Sequence, residues 1–169
     1  MADSAVAPGR GLFALGPAAA ARLIALLLPL GLLGGALGSQ YLGGLHPCEM
    51  CYWQRWPHGA AILLAALAFT AHAHSARSRN FTLLAAAAIA VSGVIGAYHA
   101  GVELGIFEGL TTCAAGGAKT LDDIMNTPLV RCDQVQWSFL GISMAGWNAI
   151  VSLGGAALIA MLALRRGRA

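Results

Sequence analysis

Two cysteines three residues apart carry the chemistry that this sequence suggests most directly. They are Cys48 and Cys51, and Arg55 follows four residues after the second cysteine. A Cys-x-x-Cys motif lowers the pKa of its first thiol, and a nearby cation favours the thiolate that attacks a disulfide or an electron acceptor. The motif therefore predicts a redox-active dithiol assisted by an arginine.

The other two cysteines, Cys113 and Cys132, have 18 residues between them. If they are bonded, the disulfide lies in a glycine-containing loop, where an incoming thiolate can reach it, and exposed disulfides are typically labile. A structural staple is the alternative, because closing a loop of this length stabilises a protein by roughly 3 kcal/mol. The neighbouring Cys-x-x-Cys favours the redox interpretation, in which two disulfides act as a relay.

The elements that must position these cysteines are membrane helices. The chain has 169 residues, of which 58% are hydrophobic and only 10% charged, a composition too apolar for a water-soluble domain. A helix needs about 20 mostly apolar residues to cross a bilayer. The sequence predicts one domain, 1–169, with helices at about 20–42, 53–74, 81–100 and 142–164. The second predicted helix reaches this length only if the Trp and His residues at its ends lie in the membrane–water interface.

The first apolar segment has a second interpretation. Its compact core is followed by small residues, which is also typical of a cleaved signal peptide. The apolar character continues to Leu42 and Leu45, and few basic residues precede the segment. These features favour an uncleaved helix.

The arginines predict the orientation of the chain. Seven flank the apolar segments on one side, whereas Arg55, Lys119 and Arg131 fall on the other. By the positive-inside rule, both termini and the turn at 75–80 are cytoplasmic. Counting the spans puts all four cysteines on the opposite face, where disulfides persist. The net charge of +3 reflects this bias and gives no indication of nucleic-acid binding.

The predicted fold class is an all-α membrane protein. Four helices with short connections imply a four-helix transmembrane bundle, with loops at about 43–52 and 101–141 on the non-cytoplasmic face. The long loop contains a predicted short amphipathic helix, with Thr120 as its N-cap, acids in its first turn and Pro128 at its end. That helix either lies on the bilayer surface or packs on the bundle.

Helical spacing decides how the Cys-x-x-Cys is presented. If Pro57 occupies the first turn of the second helix, the motif lies on a loop. If the helix instead begins near residue 47, intervals of three, four and three residues place four side chains on one face: Cys48, Cys51, Arg55 and His58.

Metal and haem sites are weaker interpretations of the motif. A structural zinc site needs four convergent ligands, and Cys113 and Cys132 lack the second two-residue spacing that such sites usually show. Haem attachment requires a histidine directly after the second cysteine, where Tyr52 stands. We therefore predict no metal.

Two stretches resemble a known family: 47–58, with the sequence PCEMCYWQRWPH, and 132–144, with the sequence CDQVQWSFLGISM. Together they look like the DsbB family of bacterial inner-membrane disulfide bond formation proteins, over nearly the whole chain. The resemblance implies an inner-membrane, multi-pass protein with cytoplasmic termini and a long periplasmic loop. It also implies that a periplasmic DsbA-like thiol oxidase attacks Cys113, paired with Cys132, and that electrons then pass to Cys48 and Cys51.

The resemblance further implies a bound quinone, either ubiquinone or menaquinone. Cys51 would interact with it as a thiolate, Arg55 would polarise its carbonyl, and Met144 would lie near its ring, for which core packing is the alternative. Some family members carry an acid where Gln54 stands, which leaves its role open. His99 either exchanges protons with the quinol or caps the membrane interface, and the interface is the favoured role.

Two other functional classes remain open at this stage. One is a quinone reductase of the vitamin K epoxide reductase type, whose redox Cys-x-x-Cys comes late in the bundle rather than before the second helix. The other is a non-catalytic membrane scaffold whose disulfides only stabilise its outer loops.

Overall fold

The computed structural model describes residues 16–109 and 130–165. Within these ranges the chain is mostly helical and carries one short hairpin. The elements, in order, are α1 (Pro17–Tyr41), α2 (Glu49–Ala68), α3 (Ala76–Glu103), β1 (Ser138–Phe139), β2 (Ile142–Ser143) and α4 (Met144–Leu164). Cys113 and the predicted amphipathic helix at 120–128 lie outside the described residues.

Three of these helices, α1, α3 and α4, are long and apolar enough to cross a membrane. This agrees with the prediction of a mostly helical membrane protein. Among the described helices, α2 falls short of that measure, because its first half carries Gln54, Arg55 and His58. The polar start of α2 is also the part of the helix that follows the Cys-x-x-Cys.

Small residues let the helices approach closely. Helices α2 and α4 both pack against α3, and α1 packs against the same two helices. A core of alanines with a few larger aliphatic side chains fills the space between them. At Gly96 of α3, an added Cβ would lie 3.0 Å from the Ala145 carbonyl oxygen and 3.2 Å from the Ala149 nitrogen. Only glycine lets the backbones of α3 and α4 meet there.

Helix α2 begins and ends earlier than the predicted range of 53–74. Cys48 is its N-cap, so the Cys-x-x-Cys belongs to the first turn, and Pro57 lies inside the helix. At the other end, Ser78 Oγ donates to the Ala68 carbonyl at 2.9 Å and Arg22 donates to the Ala71 carbonyl at 3.2 Å. These side chains satisfy carbonyls that continued helix would otherwise satisfy, which allows α2 to stop.

Side-chain caps also shift the ends of the other helices. Helix α3 starts at Ala76 rather than 81, because Ser75 Oγ accepts a hydrogen bond from the Ser78 nitrogen at 3.1 Å. The turn predicted at 75–80 is therefore largely helical. Helix α4 starts at Met144 rather than 142, after Ser143 caps it through the Gly146 nitrogen at 3.1 Å.

The hairpin before α4 fixes where that helix begins. Ser138 pairs with Ser143 and Phe139 with Ile142, so a two-residue turn joins the strands. Both turn residues have positive φ, 53° at Leu140 and 77° at Gly141, as two-residue hairpin turns of type I′ require. Met144 follows directly as the first residue of α4 and lies near Cys48 and Cys51.

Candidate functional site

A cavity of about 470 Å³ opens beside the cysteine pair, a size typical of small-molecule sites. Five residues between 31 and 36 of α1 form an apolar wall. Ser39, residues 45–47, α2, α3, the start of α4 and four residues between 131 and 137 contribute the rest. The lining includes four of the predicted site residues: Cys48, Cys51, Arg55 and Met144. The structure therefore brings the Cys-x-x-Cys, the arginine and the methionine to one space.

The two sulfurs of the Cys-x-x-Cys are hydrogen-bonded. The Cys48 thiol donates to Cys51 Sγ at 3.3 Å, and the Cys51 backbone nitrogen donates to the Cys48 carbonyl at 3.1 Å. Donating this hydrogen bond, together with burial, raises the pKa of the Cys48 thiol to about 12. Accepting it lowers the pKa of the Cys51 thiol, and the nearby positive charge of Arg55 lowers that pKa further.

This asymmetry corrects one sequence-based expectation. The general behaviour of the motif predicts a lowered pKa at the first cysteine, whereas here the second cysteine has the lowered pKa. The main physical reason is the hydrogen bond between the two sulfurs, in which Cys48 holds the proton and Cys51 accepts it; the charge of Arg55, one turn further along the helix, lowers the pKa of Cys51 further. Of the two thiols, Cys51 is therefore the one that ionises more readily.

Arg55 is held against α1. Its guanidinium donates to Gln40 Oε1 at 2.5 Å and to the Ala36 carbonyl at 3.2 Å, and it lies 5.1 Å from the ring centroid of Tyr52. These contacts orient the planar fork at the cavity wall, one turn after Cys51. The predicted shared face is thus present, since His58 lines the same cavity.

His99 connects the cysteine pair to a buried amide. Its Nε2 lies 3.5 Å from Cys48 Sγ, and its Nδ1 lies 2.9 Å from Gln54 Nε2. Gln54 Nε2 also donates to the Met50 carbonyl at 3.1 Å, which fixes the amide nitrogen toward His99. Neutral His99 therefore carries its proton on Nε2, facing the sulfur. With 3% exposure, His99 lies inside the protein rather than capping the membrane interface as favoured above.

A second polar cluster, absent from the sequence-based prediction, joins three helices. His58 Nε2 lies 3.0 Å from Asn148 Oδ1 and 2.9 Å from Ser92 Oγ. Asn148 Nδ2 donates to Gln54 Oε1 at 2.8 Å, which links this cluster to His99. The sequence does contain a signal for this cluster, namely single polar residues inside apolar segments. A polar residue inside a membrane is costly in free energy unless it pairs with another or lines a functional cavity.

The second cysteine pair is described at one member only. Cys132 is partly buried and packs against the small cluster around Cys48 and Val102. It lies close enough to Cys51 that its charge opposes ionisation of that thiol. Cys113 falls outside the described residues. The neighbouring Asp133 is exposed and forms an ion pair with Arg131, which lowers the pKa of its carboxyl.

Three of these side chains could also hold a metal ion. The ligand atoms of Cys48, Cys51 and His99 all lie within 4.8 Å of one another. A structural zinc site uses four protein ligands, so this trio is one donor short of such a site.

Comparison with known proteins identifies the family. The family model described as disulfide bond formation protein DsbB matches residues 18–162. Three proteins named disulfide bond formation protein B are among the similar ones. That of Hahella chejuensis is 32% identical over 151 residues, covering 82% of this chain and 88% of that protein. That of Methylococcus capsulatus is 32% identical over 144 residues, covering 78% and 85%. That of Azoarcus sp. is 30% identical over 142 residues, covering 77% and 82%. No solved structure matches. With a family match over most of its length, this chain belongs to the DsbB family of disulfide bond formation proteins.

Proposed function

We propose that this protein reoxidises a periplasmic DsbA-like dithiol oxidase and passes the electrons through its two cysteine pairs to a membrane quinone. Family membership makes it a multi-pass membrane protein with oxidoreductase activity in disulfide bond formation. The observation that carries the finer proposal is the cavity in which Cys51 and Arg55 face a largely apolar wall. Partner, electron acceptor and residue roles are our inference.

The proposed topology is a four-helix transmembrane bundle in the inner membrane. Helix α2 alone is not apolar enough to count as a membrane-spanning helix. However, it packs along α3 and α1, and both of these helices are long and apolar enough to cross a membrane. Its membrane-spanning part begins near Trp53, after the cysteines. Arg77 and Arg79 lie at the start of α3, at the opposite end of the bundle from Cys48. This separation supports cytoplasmic termini and periplasmic cysteines.

The residues of the cavity fit a quinone head group. A quinone ring is flat and apolar with a carbonyl acceptor on each side, and this cavity combines an aliphatic wall with a few polar groups. When bound, the quinone supplies an acceptor for two electrons and two protons. Arg55 would orient it through a carbonyl, Cys51 would approach it as the thiolate, and Met144 would pack near it.

The first half of the proposed reaction is thiol–disulfide exchange. A thiolate of the partner attacks Cys113 of the Cys113–Cys132 disulfide and releases the Cys132 thiolate; the partner's second thiolate then resolves the mixed disulfide. The partner leaves oxidised, and both cysteines of the loop are reduced. The packing of Cys132 against the cluster around Cys48 supports the next transfer, in which the loop dithiol reduces the Cys48–Cys51 disulfide.

The second half requires protons at defined sulfurs. When the loop dithiol opens the Cys48–Cys51 disulfide, its two protons pass to the new thiols, and His99 Nε2, 3.5 Å from Cys48 Sγ, donates a hydrogen bond that stabilises charge on this sulfur until it takes up its proton. The raised pKa of Cys48 keeps that proton bound, whereas the lowered pKa of Cys51 leaves a thiolate beside Arg55. In this proposal, Cys48 undergoes thiol–disulfide exchange with the loop cysteines, and Cys51 faces the electron acceptor.

Maleimide trapping of free thiols tests this function. The reduced partner is added to purified, oxidised protein, with and without a short-chain quinone, and cysteines are labelled over time. We expect quinone to restore both disulfides and Cys51→Ser to block the restoration. The matched variant Cys132→Ser should block electron transfer from the partner yet leave quinone able to oxidise a chemically reduced Cys48–Cys51 pair. Cysteines indifferent to both partner and quinone would indicate a scaffold.

A further inference from the structure

One buried side chain of the cavity has no role in the electron transfer described above. His58 lies in the third turn of α2, is 3% exposed and lines the cavity. Its Nε2 is held by Ser92 and Asn148, but its Nδ1 is buried without a hydrogen-bond partner among the described residues. A buried nitrogen left unpaired costs free energy, which calls for an explanation.

Two backbone carbonyls determine which nitrogen of His58 carries the proton. Ser92 Oγ donates to the Gln54 carbonyl at 2.8 Å, and Asn148 Nδ2 donates to the Ser92 carbonyl at 3.2 Å. Carbonyl oxygens only accept, so they fix the direction of the hydroxyl and the orientation of the amide. Both groups therefore present oxygens that accept from His58 Nε2.

The unpaired nitrogen is consequently an acceptor. Neutral His58 carries its proton on Nε2, shared between Asn148 Oδ1 at 3.0 Å and Ser92 Oγ at 2.9 Å. Ser152 Oγ donates to the same Asn148 oxygen at 2.9 Å, which further secures the amide orientation. Nδ1 is left with a lone pair, which complements a ligand that has a hydroxyl donor and opposes one that offers only an acceptor.

We propose that His58 Nδ1 accepts a hydrogen bond from a ring hydroxyl of the quinol, so that this position of the cavity favours the reduced form of the ring. The inference rests on the proposed quinone function and adds a ligand-contacting residue to it. A quinone carbonyl cannot donate, whereas the quinol formed from it can. One such hydrogen bond corresponds to roughly a two- to tenfold difference in affinity.

Binding measurements on the full-length chain test the proposal. The Cys51→Ser background prevents electron exchange during the titration, and the fluorescence of Trp137 and Trp147, which line the cavity, reports occupancy. The probes are a short-chain ubiquinone analogue and its quinol, added without oxygen. We expect His58→Leu to weaken quinol binding by roughly two- to tenfold and to change quinone binding less than twofold. His72→Leu, at an exposed histidine after α2, should change neither affinity.

A ligand-side measurement keeps the proposal testable if His58→Leu fails to fold. The dimethyl ether of the quinol keeps the ring but has no hydroxyl donor, so the protein with His58 intact should bind it more weakly than the quinol by a similar factor. Equal binding of quinol and ether would overturn the inference.

The outcomes separate this inference from the function on which it rests. Protein with both Cys51 and His58 intact that binds neither quinone nor quinol refutes the quinone function itself. Protein that binds both, with quinol affinity unchanged by His58→Leu, refutes only the role of His58.

Discussion

The asymmetry of the cysteine pair predicts which sulfur an alkylating reagent modifies first. The Cys48 thiol donates to Cys51 Sγ at 3.3 Å, which together with burial raises the pKa of Cys48 to about 12 and lowers that of Cys51 below its ordinary value of 9.0. Only the thiolate reacts with iodoacetamide. In the reduced protein, Cys51 should therefore react first, and its reactivity should be lost as the pH falls through its lowered pKa.

The size of the effect follows from the two pKa values. At pH 8, a thiol with a pKa of about 12 is roughly one ten-thousandth thiolate, whereas one with a pKa of 9.0 or less is at least roughly one tenth thiolate. The ratio of thiolate populations is then about a thousandfold. A more basic thiolate is intrinsically more nucleophilic, with a Brønsted coefficient of about 0.4–0.5, which reduces the net preference to roughly thirty- to sixtyfold.

Tandem mass spectrometry after brief alkylation over a series of pH values measures this preference. Replacing Cys113 and Cys132 by serine isolates the pair, and the unfolded protein serves as the control in which both cysteines react alike. Restricted access of the reagent to buried Cys48 slows its reaction at every pH, whereas the pH at which its rate levels off follows its raised pKa and should lie above that of Cys51. Faster modification of Cys48, or two profiles that level off at the same pH, would refute the reasoning.

Three further substitutions have expected outcomes. Gly96→Ala forces α3 and α4 apart and should destabilise the protein by about 1–3 kcal/mol in thermal unfolding in detergent, whereas Gly154→Ala, which meets open space, should not. Arg55→Met should weaken quinone binding and move the Cys51 alkylation profile to higher pH, while Arg55→Lys should largely preserve that profile because it keeps the charge. Gln54→Leu leaves buried His99 Nδ1 without its donor and removes one of the acceptors of Asn148 Nδ2, and it should cost about 1–3 kcal/mol in the same unfolding assay; an unchanged midpoint would contradict the hydrogen-bond assignment.

Local spacing in the sequence predicted the shared face of the first cysteine pair on the condition that the helix begins near residue 47, and α2 does begin at Glu49 rather than at the predicted residue 53. Intervals of three, four and three residues placed Cys48, Cys51, Arg55 and His58 together, and all four line the cavity. Apolar segment lengths likewise predicted α1, α3 and α4, the three described helices that are long and apolar enough to cross a membrane, whereas the fourth predicted span, α2, does not meet that measure. These features depend on the helical repeat and on composition, both of which can be calculated from neighbouring residues.

The features that the sequence did not predict depend on contacts between distant residues. The ends of α2 and α3 follow from side chains such as Ser75, Ser78 and Arg22, which satisfy backbone groups outside the apolar pattern. The cluster of His58, Ser92 and Asn148 forms only because three helices meet. The general motif rule placed the lowered pKa on Cys48, whereas the family resemblance placed the thiolate on Cys51. The direction of the hydrogen bond between the two sulfurs, which the motif alone does not give, lowers the pKa of Cys51.

A pair of arginines gives α1 and α2 a fixed mutual register. Arg22 of α1 bonds the carbonyls at the end of α2, and Arg55 of α2 bonds the Ala36 carbonyl near the other end of α1. Sliding one helix past the other by a single turn, about 5.4 Å, would break both attachments at once. The two attachments therefore oppose sliding of α2 along α1, and they keep the Arg55 guanidinium against the wall that α1 contributes to the cavity.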